Sequence, residues 1–523
     1  LPPQAYEAST SMETVSGQEN DNDILQAPYA DAQEGVSLGD IASTGNTSTD
    51  DISLEDAQIV MELTDRRTEY SKEYKLDNGL NLAVVYSEPV HYKENGKWEE
   101  IDNTLSSHGS GESASYKNKA GAWQVEFPLQ LDEESKVKIT KGDYTVSFLM
   151  SGELRLDTVM TELRASVGTA KASKVKKSQG KVHKYDYSKL KEQAQHPEVI
   201  RDNLRSRMTY SDVYTNTDVI YDLDTQQLKE SIVINSYDPS VYGYVYTLDT
   251  GKLVPVLNED GSVDLLTKNK GEVVMTMPAP FMIDNEGSIC TDVEVTLEKV
   301  KGTYQLTYLL PMEWVADENR AWPVILDPVV KPGTKTSNIL DHFVAENYSA
   351  SNTHKYLYAG HHATYGDMRT YIQFSNIPDF TAADVVVNAK LKLNRIGGSS
   401  GSTIIEAHEV YDTWTTSGIT WSGQPSWNPI IQDYCSVGGS GEYFWDITDV
   451  AYGWYLGENT GVMLKATTDV ENSSTANWKQ FCSAEYNKTD SSYWPYLEIT
   501  YQTATGIEEY WDYTTTSAGR AGN

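Results

Sequence analysis

Short runs of alternating apolar and polar residues, each closed by a turn dipeptide, recur from about Thr68 to Thr500 of this 523-residue chain. A period of two is that of a half-buried strand, and long patterns of period 3.6 are few, so the sequence points to β-sandwiches or barrels. Asp77-Asn-Gly79 precedes the run Leu80–Tyr86, and Asn95-Gly96 separates His91–Lys93 from Lys97–Ile101. Asn-Gly is a strong hairpin signal because both central residues of a type I′ turn need positive φ. Further runs fall at Trp123–Phe127, Lys136–Ile139, Tyr144–Phe148, Glu230–Ile234, Gly243–Thr247, Val273–Met277 and Tyr304–Tyr308. A later set falls at Thr370–Phe374, Ala389–Leu393, Thr403–Ala407, Gly461–Lys465 and Tyr496–Thr500.

Composition narrows the partners. Tyr outnumbers Phe by 35 to 8, which suits strands with an apolar face and a wet rim. The net charge of −34 repels the polyanions of nucleic acid and anionic membranes, so neither is expected as a partner. No stretch approaches the roughly 18 to 20 apolar residues needed to span a bilayer, so no membrane insertion is expected. Cys290, Cys435 and Cys482 are too scattered for a disulfide framework, and one bridge at most could form. The chain opens on Leu1 rather than Met, so a signal peptide would lie upstream of it.

Residues 1–66 hold 14 acidic side chains against Arg66 alone and read as a disordered acidic leader, with a short helix over Leu54–Leu63. Residues 67–330 read as a two-part β domain. Its insert at 171–206 holds a Lys-rich linker, taken as a solvated loop, then a helix between Lys189 and Arg205 with Pro197 in its first turn. The Pro332-Gly333 pair marks a boundary near 331–336. Residues 336–502 read as a jelly roll of about eight strands, and 503–523 as a linker to a region beyond this chain. The fold class is therefore all-β: two sandwich or jelly-roll units behind a disordered leader.

The last block carries an ordered set of features: Asp341-His-Phe-Val344, Tyr356–Gly360, the arginine-led strand Arg369–Phe374, Trp414, Thr420-Trp421, Gln424-Pro425, Phe444–Thr448, Trp454 and Pro495-Tyr-Leu497. In that order they resemble the DNRLRE domain, a β-sandwich module of secreted and wall-associated bacterial proteins similar to a carbohydrate-binding module family. Asn347-Tyr-Ser349 and Ser483-Ala-Glu485 depart from that pattern. Glu62–Thr68, Pro89–Tyr92, Trp98–Leu105 and Arg320–Pro328 resemble the N-terminal portion of RHS-repeat wall-associated proteins, and Gly506–Tyr513 resembles the lead-in to their repeats.

Gly397-Gly-Ser-Ser-Gly401 fits the pattern of a nucleophile elbow, but an elbow needs a helix after it, and the strand Ser402–Ile405 comes next; a hairpin loop is expected. His354, His361 and His362 match no zinc spacing and read as loop histidines. Glu99-Glu100 reads as an exposed strand edge, and no acid/base pair stands out for a lyase or hydrolase. Because β-sandwich carbohydrate modules often hold structural calcium, the resemblance implies a candidate site using Asp341 or Asp446. Sugar rings present C–H faces that flat aromatic rings hold while polar neighbours orient the hydroxyls. Trp414, Trp421, Trp445 and Trp454 coincide with positions of the resembled module and are expected in the core. That leaves Tyr356, Tyr358, Tyr365 and Trp427, which with Arg369 are the candidate ligand-binding residues.

The expectation is a non-catalytic extracellular or cell-wall protein that binds a polysaccharide or cell-wall glycan through its jelly roll. The alternative is a spacer or adhesin, binding a host or bacterial surface protein, that presents RHS repeats or a toxin.

Overall fold

In a computed structural model the described residues are 56–503 except 112–113, 133, 157–170, 287, 333–336, 349–355, 382 and 485–492. Most of the leader, the tail after Thr503 and His354 therefore lie outside the described residues. The chain divides after Ala57, and all the described strands belong to the unit that begins at Gln58. The fold class is all-β, as the alternation requires.

The expected helix at the end of the leader is instead a strand. Ile59–Glu62 pairs antiparallel with Ser71–Leu76, and a single 3-10 turn, Thr64–Arg66, joins them. The apolar spacing there fits either period, and the Leu63 N–H donating to the Glu73 carbonyl resolves it in favour of the sheet. Asn95 and Gly96 take φ of 50° and 83° between the hairpin strands His91–Glu94 and Lys97–Glu100, as the turn chemistry predicts. Glu100 is not a free edge residue. Lys72 reaches it at 2.5 Å, Arg67 at 3.1 Å and Arg201 at 3.3 Å. Burial alone would raise its carboxyl, but these cations outweigh burial and hold it at about 2.

From about residue 100 to 330, two large antiparallel sheets share one core. The first includes Gln124–Pro128, Val137–Lys141, Tyr144–Arg155, Val241–Asp249 and Thr303–Leu309; the second includes Ser206–Tyr214, Thr217–Leu223, Leu228–Ile234 and Val324–Asp327. Phe127, Phe148, Tyr210, Tyr221, Tyr246 and Leu326 meet between them, which places much of the Tyr excess inside rather than on a wet face. The Lys-rich segment is not a plain loop. Lys171–Ser173, Ser178–Gln179 and Lys181–His183 each pair with a neighbouring strand, and Val175 and Ser178 turn inward while Lys174, Lys176, Lys177 and Lys181 are exposed. Tyr187 is buried and the Tyr185 hydroxyl donates to Asp222. The helix after it is one short piece, Ser188–Gln193, and Pro197 opens a separate 3-10 turn, Pro197–Val199.

The C-terminal block is built on a sheet of thirteen strands among the described residues. In chain order they are β1 (Ile59–Glu62), β2 (Ser71–Leu76), β3 (Asn81–Val85), β4 (Ile339–Ala345), β5 (Tyr356–His362), β6 (Gly366–Phe374), β7 (Asp384–Gly398), β8 (Thr403–Glu409), β9 (Asp433–Val437), β10 (Gly441–Asp446), β11 (Val462–Ala466), β12 (Asn477–Cys482) and β13 (Tyr496–Thr503). Spatial order is β1-β2-β3-β13-β7-β12-β5-β6-β11-β8-β9, with β4 beside β6 and β10 beside β7. The first three strands, read from sequence as part of the N-terminal β domain and its leader, thus extend the sheet of the C-terminal block. β3 pairs with β13 from Asn81↔Tyr501 to Val85↔Leu497. Residues just beyond β3 are stitched to the same block: Asn338 donates to the Tyr86 carbonyl, and Ser87 bonds Ser337, Asn338 and Pro495. The segment Gly397–Gly401, whose first two residues end β7 and whose last three lead toward β8, is not a hairpin loop, because β7 and β8 do not pair with each other. Leu357, Ile372, Leu391, Ile405, Leu464 and Phe481 fill the core with Trp445 and Trp454. All three cysteines are free.

Candidate functional site

The predicted site residues fall into two groups. Arg369, on β6, extends from a sheet face that also carries Tyr371, Lys465 of β11, and Glu406 and His408 of β8; the register Tyr371↔Met463 and Met463↔His408 aligns them. The segment between β8 and β9 lies against this face with Trp414, Ile419, Trp421 and Trp427. The Arg369 guanidinium forks onto Glu471 with two bonds of 2.9 Å. It lies 4.9 Å from the Trp421 ring and 5.6 Å from that of Trp427. Gln424 Oε1 accepts from Arg369 at 3.2 Å and from the Tyr371 hydroxyl at 2.9 Å, while its amide donates to the Trp421 carbonyl. Burial works against the Arg369 charge, but Glu471 outweighs it and raises its pKa. Every strong group of Arg369 is thus committed to the protein. Trp421, expected in the core, is half-buried over that guanidinium, whereas Trp414, Trp445 and Trp454 are buried as expected.

The second group gathers Tyr356, Tyr358 and Tyr365. Strand alternation places Tyr356, Tyr358 and His362 on one face of β5, opposite Leu357 and Ala359, which enter the core. The register Tyr358↔Gln480 and Gly360↔Trp478 puts Trp478 and Gln480 of β12 on that same face. Ring centroids are 6.3 Å apart for Tyr356–Tyr358, 5.8 Å for Tyr358–Trp478, 5.4 Å for Trp478–His362, 4.6 Å for His362–Tyr365 and 5.2 Å for Tyr365–Tyr348. Tyr358 is buried against Phe343 and Met368 and acts as the floor; Tyr348, Tyr356, His362, Tyr365 and Trp478 are half-buried. Burial, then the neighbouring His361, pushes the His362 pKa down, which favours the neutral ring, and its Nδ1 accepts the Thr364 and Tyr365 N–H groups. Polar groups edge the patch. Gln480 donates to the Tyr358 hydroxyl at 3.3 Å, and the exposed Glu346 and Asn347 approach Gly366.

Trp478 was not singled out from sequence. Its strand, Asn477-Trp-Lys-Gln-Phe-Cys482, turns Lys479 inward beside Phe481 and the tryptophan outward. Lys479 has no exposed surface, and its ammonium donates to the carbonyls of Ser399 at 2.9 Å and Gly401 at 2.7 Å. The Gly397–Gly401 segment is therefore a carbonyl cradle for an inverted lysine. Ser399 also bonds the Trp478 backbone through its own N–H and its hydroxyl.

The carboxylates expected at a calcium site, Asp341 and Asp446, each accept hydrogen bonds from the protein. Asp446 accepts from the Thr448 hydroxyl and N–H and from the Asn388 amide, and Asp341 Oδ2 accepts the Ala484 N–H. Both carboxylates act as local hydrogen-bond acceptors, and no group of three or more His, Cys, Asp or Glu among the described residues could hold a metal ion. His361 binds Asp367 at 2.7 Å, and His362 stacks on Tyr365. No helix of the described residues is long and apolar enough to cross a membrane.

Residues 334–501 match the model of Carbohydrate-binding module family 96. The tRNA3(Ser)-specific nuclease WapA of Bacillus spizizenii is 24% identical over 461 residues, covering 84% of this chain and 18% of that protein. A wall-associated protein of Geobacillus stearothermophilus is 23% identical over 226 residues, 43% of this chain and 75% of that one. The chain thus spans about a fifth of the length of the nuclease relative, 18%. An exo-β-1,3-galactanase structure from Phanerochaete chrysosporium covers 80% of this chain and all of its own at 9% identity, with a TM-score of 0.11, too low to bear on fold or function.

Proposed function

We propose that this chain is a non-catalytic part of an extracellular or wall-attached protein, and that its C-terminal sheet binds a polysaccharide through the face carrying Tyr356, Tyr358, His362, Tyr365 and Trp478. The observation that carries this reading is the convergence of those rings, from two strands and a loop, on one partly exposed face inside the segment that matches a carbohydrate-binding module. Half-buried rings held by a rigid sheet can take the C–H face of a sugar with little loss of side-chain freedom. Arg369 and Trp427 stand outside this face in our reading, because their groups are already satisfied by Glu471, Gln424 and His408. The resemblances to DNRLRE modules and to the N-terminal portion of RHS-repeat wall proteins belong to the same reading: attachment to a wall glycan would hold any RHS repeats near the surface.

A second reading is supported by the small share of the nuclease relative that this chain spans. Here the chain is a spacer or protein-binding adhesin that presents RHS repeats or a toxin. The full chain on a broad glycan array, beside a pull-down with bacterial and host surface proteins, separates the two. Glycan binding lost in Trp478→Ala supports the first reading. No glycan signal with specific protein capture supports the second and overturns the first.

A further inference from the structure

We infer that the aromatic face takes an internal run of an extended polysaccharide rather than a chain end; this rests on the carbohydrate reading above. From Tyr356 to His362 the strand β5 advances six residues, a span of about 20 Å at a rise of about 3.3 Å each. Side chains on one face of a strand recur every second residue, so a continuous row along β5 needs rings at 356, 358, 360 and 362. Position 360 is a glycine, and the gap is filled from the neighbouring strand. Trp478 is the register partner of Gly360, and its ring lies between those of Tyr358 and His362.

Glycine at 360 is required for this arrangement. Its φ is +119°, and a Cβ there would lie 2.4 Å from the Asn477 carbonyl oxygen and 2.7 Å from Trp478 Cα. The other flank of β12 is cleared in the same way. Gly397 and Gly398 of β7 face Gln480 and Lys479, and a Cβ on Gly398 would meet the Trp478 carbonyl at 2.4 Å. The indole is thus flanked by Gly360 at its register position on β5 and by Gly397 and Gly398 at the end of β7, and the inward turn of Lys479 fixes it facing out. The result is a run of rings in the order Tyr356, Tyr358, Trp478, His362, Tyr365, longer than one pyranose ring; the first four are inclined at 52–69° to their neighbours, His362 stacks on Tyr365, and Tyr358 lies buried beneath the run, with Gln480 beside it and Glu346 and Asn347 at one end.

A site that recognises a chain end must enclose the terminal ring. A row of rings spread along about 20 Å of strand reads successive C–H faces and has no requirement for a free terminus. The ligand class is therefore an extended polysaccharide whose pyranoses expose apolar faces along several consecutive units.

The test uses the full chain in native gels cast with soluble glucan, mannan, xylan, galactan, glycol chitin or wall polysaccharide extracted from a Gram-positive cell. The di-, tetra- and hexasaccharides of whichever polymer retards the protein are then added as competitors. The expected result is competition at least tenfold stronger for the hexasaccharide than for the disaccharide, with retardation reduced at least tenfold in Trp478→Ala and in Tyr356→Ala. The two variants sit at the middle and one end of the row, and circular dichroism verifies that each is folded. Retardation with disaccharide as potent as hexasaccharide overturns the internal-run inference while leaving carbohydrate binding standing. Loss in Trp478→Ala with none in Tyr356→Ala likewise overturns the extended row. No retardation by any polymer overturns the carbohydrate reading itself, and this inference with it.

Discussion

Glu230 shows what a single side chain contributes to the N-terminal sandwich. It is fully enclosed among Tyr221, Tyr246, Tyr308 and Leu306, and its Oε1 accepts the Tyr221 hydroxyl at 2.5 Å and the Tyr246 hydroxyl at 3.0 Å. Burial pushes its carboxyl up to about 7, against the lowering effect of the two phenols. A carboxyl raised in the fold favours folding where it is protonated in both states. That contribution is intact below the unfolded value of about 4.3 and is lost as pH rises to about 7. Urea midpoints at pH 4.5 and 7.5 should show wild type losing on the order of 3 kcal/mol relative to Glu230→Gln across that interval; parallel pH profiles would contradict the assignment. Arg369 is tested by replacement with Lys, which keeps the charge but loses the two-pronged bond to Glu471 and the flat stack on Trp421. A loss of about 1–3 kcal/mol is expected in the same assay, and an unchanged midpoint would count against it. Trp445→Ala, which empties a fully buried site and frees the Ile405 carbonyl, should cost about 3–5 kcal/mol.

Elements were legible where local chemistry agreed with the sheet. Asn95-Gly96 fixed its hairpin, and the spacing of two between Tyr356 and Tyr358 agrees with the one face of β5 they share. Reading failed where a distant partner decided the outcome. Ile59–Glu62 fits a helix until Ser71–Leu76 pairs with it, and Asn477–Cys482 buries the lysine and exposes the tryptophan because two carbonyls of the β7–β8 connection receive the ammonium. The fork of Arg369 onto Glu471 was not legible either, because the two lie 102 residues apart in sequence. The pairing of β3 with β13 is of the same kind, and it has a consequence for truncation. A fragment of residues 331–503 would strip β1–β3 from β13, expose the edge of that strand, and uncover the apolar neighbours of Ala83 and Val85. Its urea midpoint is expected to fall well below that of the C-terminal block within residues 56–503, with association visible by light scattering. An equal midpoint for a monomeric 331–503 would show that the first three strands are dispensable.

At the scale of the whole molecule, the acidity of −34 is unevenly placed: the first 66 residues carry −13 of it. The remainder is a moderately acidic β protein in which the N-terminal sandwich and the C-terminal block are joined by buried charge. Arg205 lies between Glu88 and Asp224 at 3.2 and 3.4 Å and stacks on Trp494 of the C-terminal block at 4.8 Å. Such a junction sets the orientation of the aromatic face relative to the N-terminal sandwich. The proposed function turns on the face around Trp478 being the binding surface. Calorimetric titration of the polysaccharide that retards the full chain, into wild type, Trp478→Ala and Tyr434→Ala, addresses it most directly. Tyr434 is equally aromatic and 64% exposed, but lies on β9, four strands along the sheet from β5. Wild type and Tyr434→Ala are predicted to bind, with at least a tenfold weaker Kd for Trp478→Ala. Equal affinity in all three, with Trp478→Ala folded, would contradict the assignment of this face.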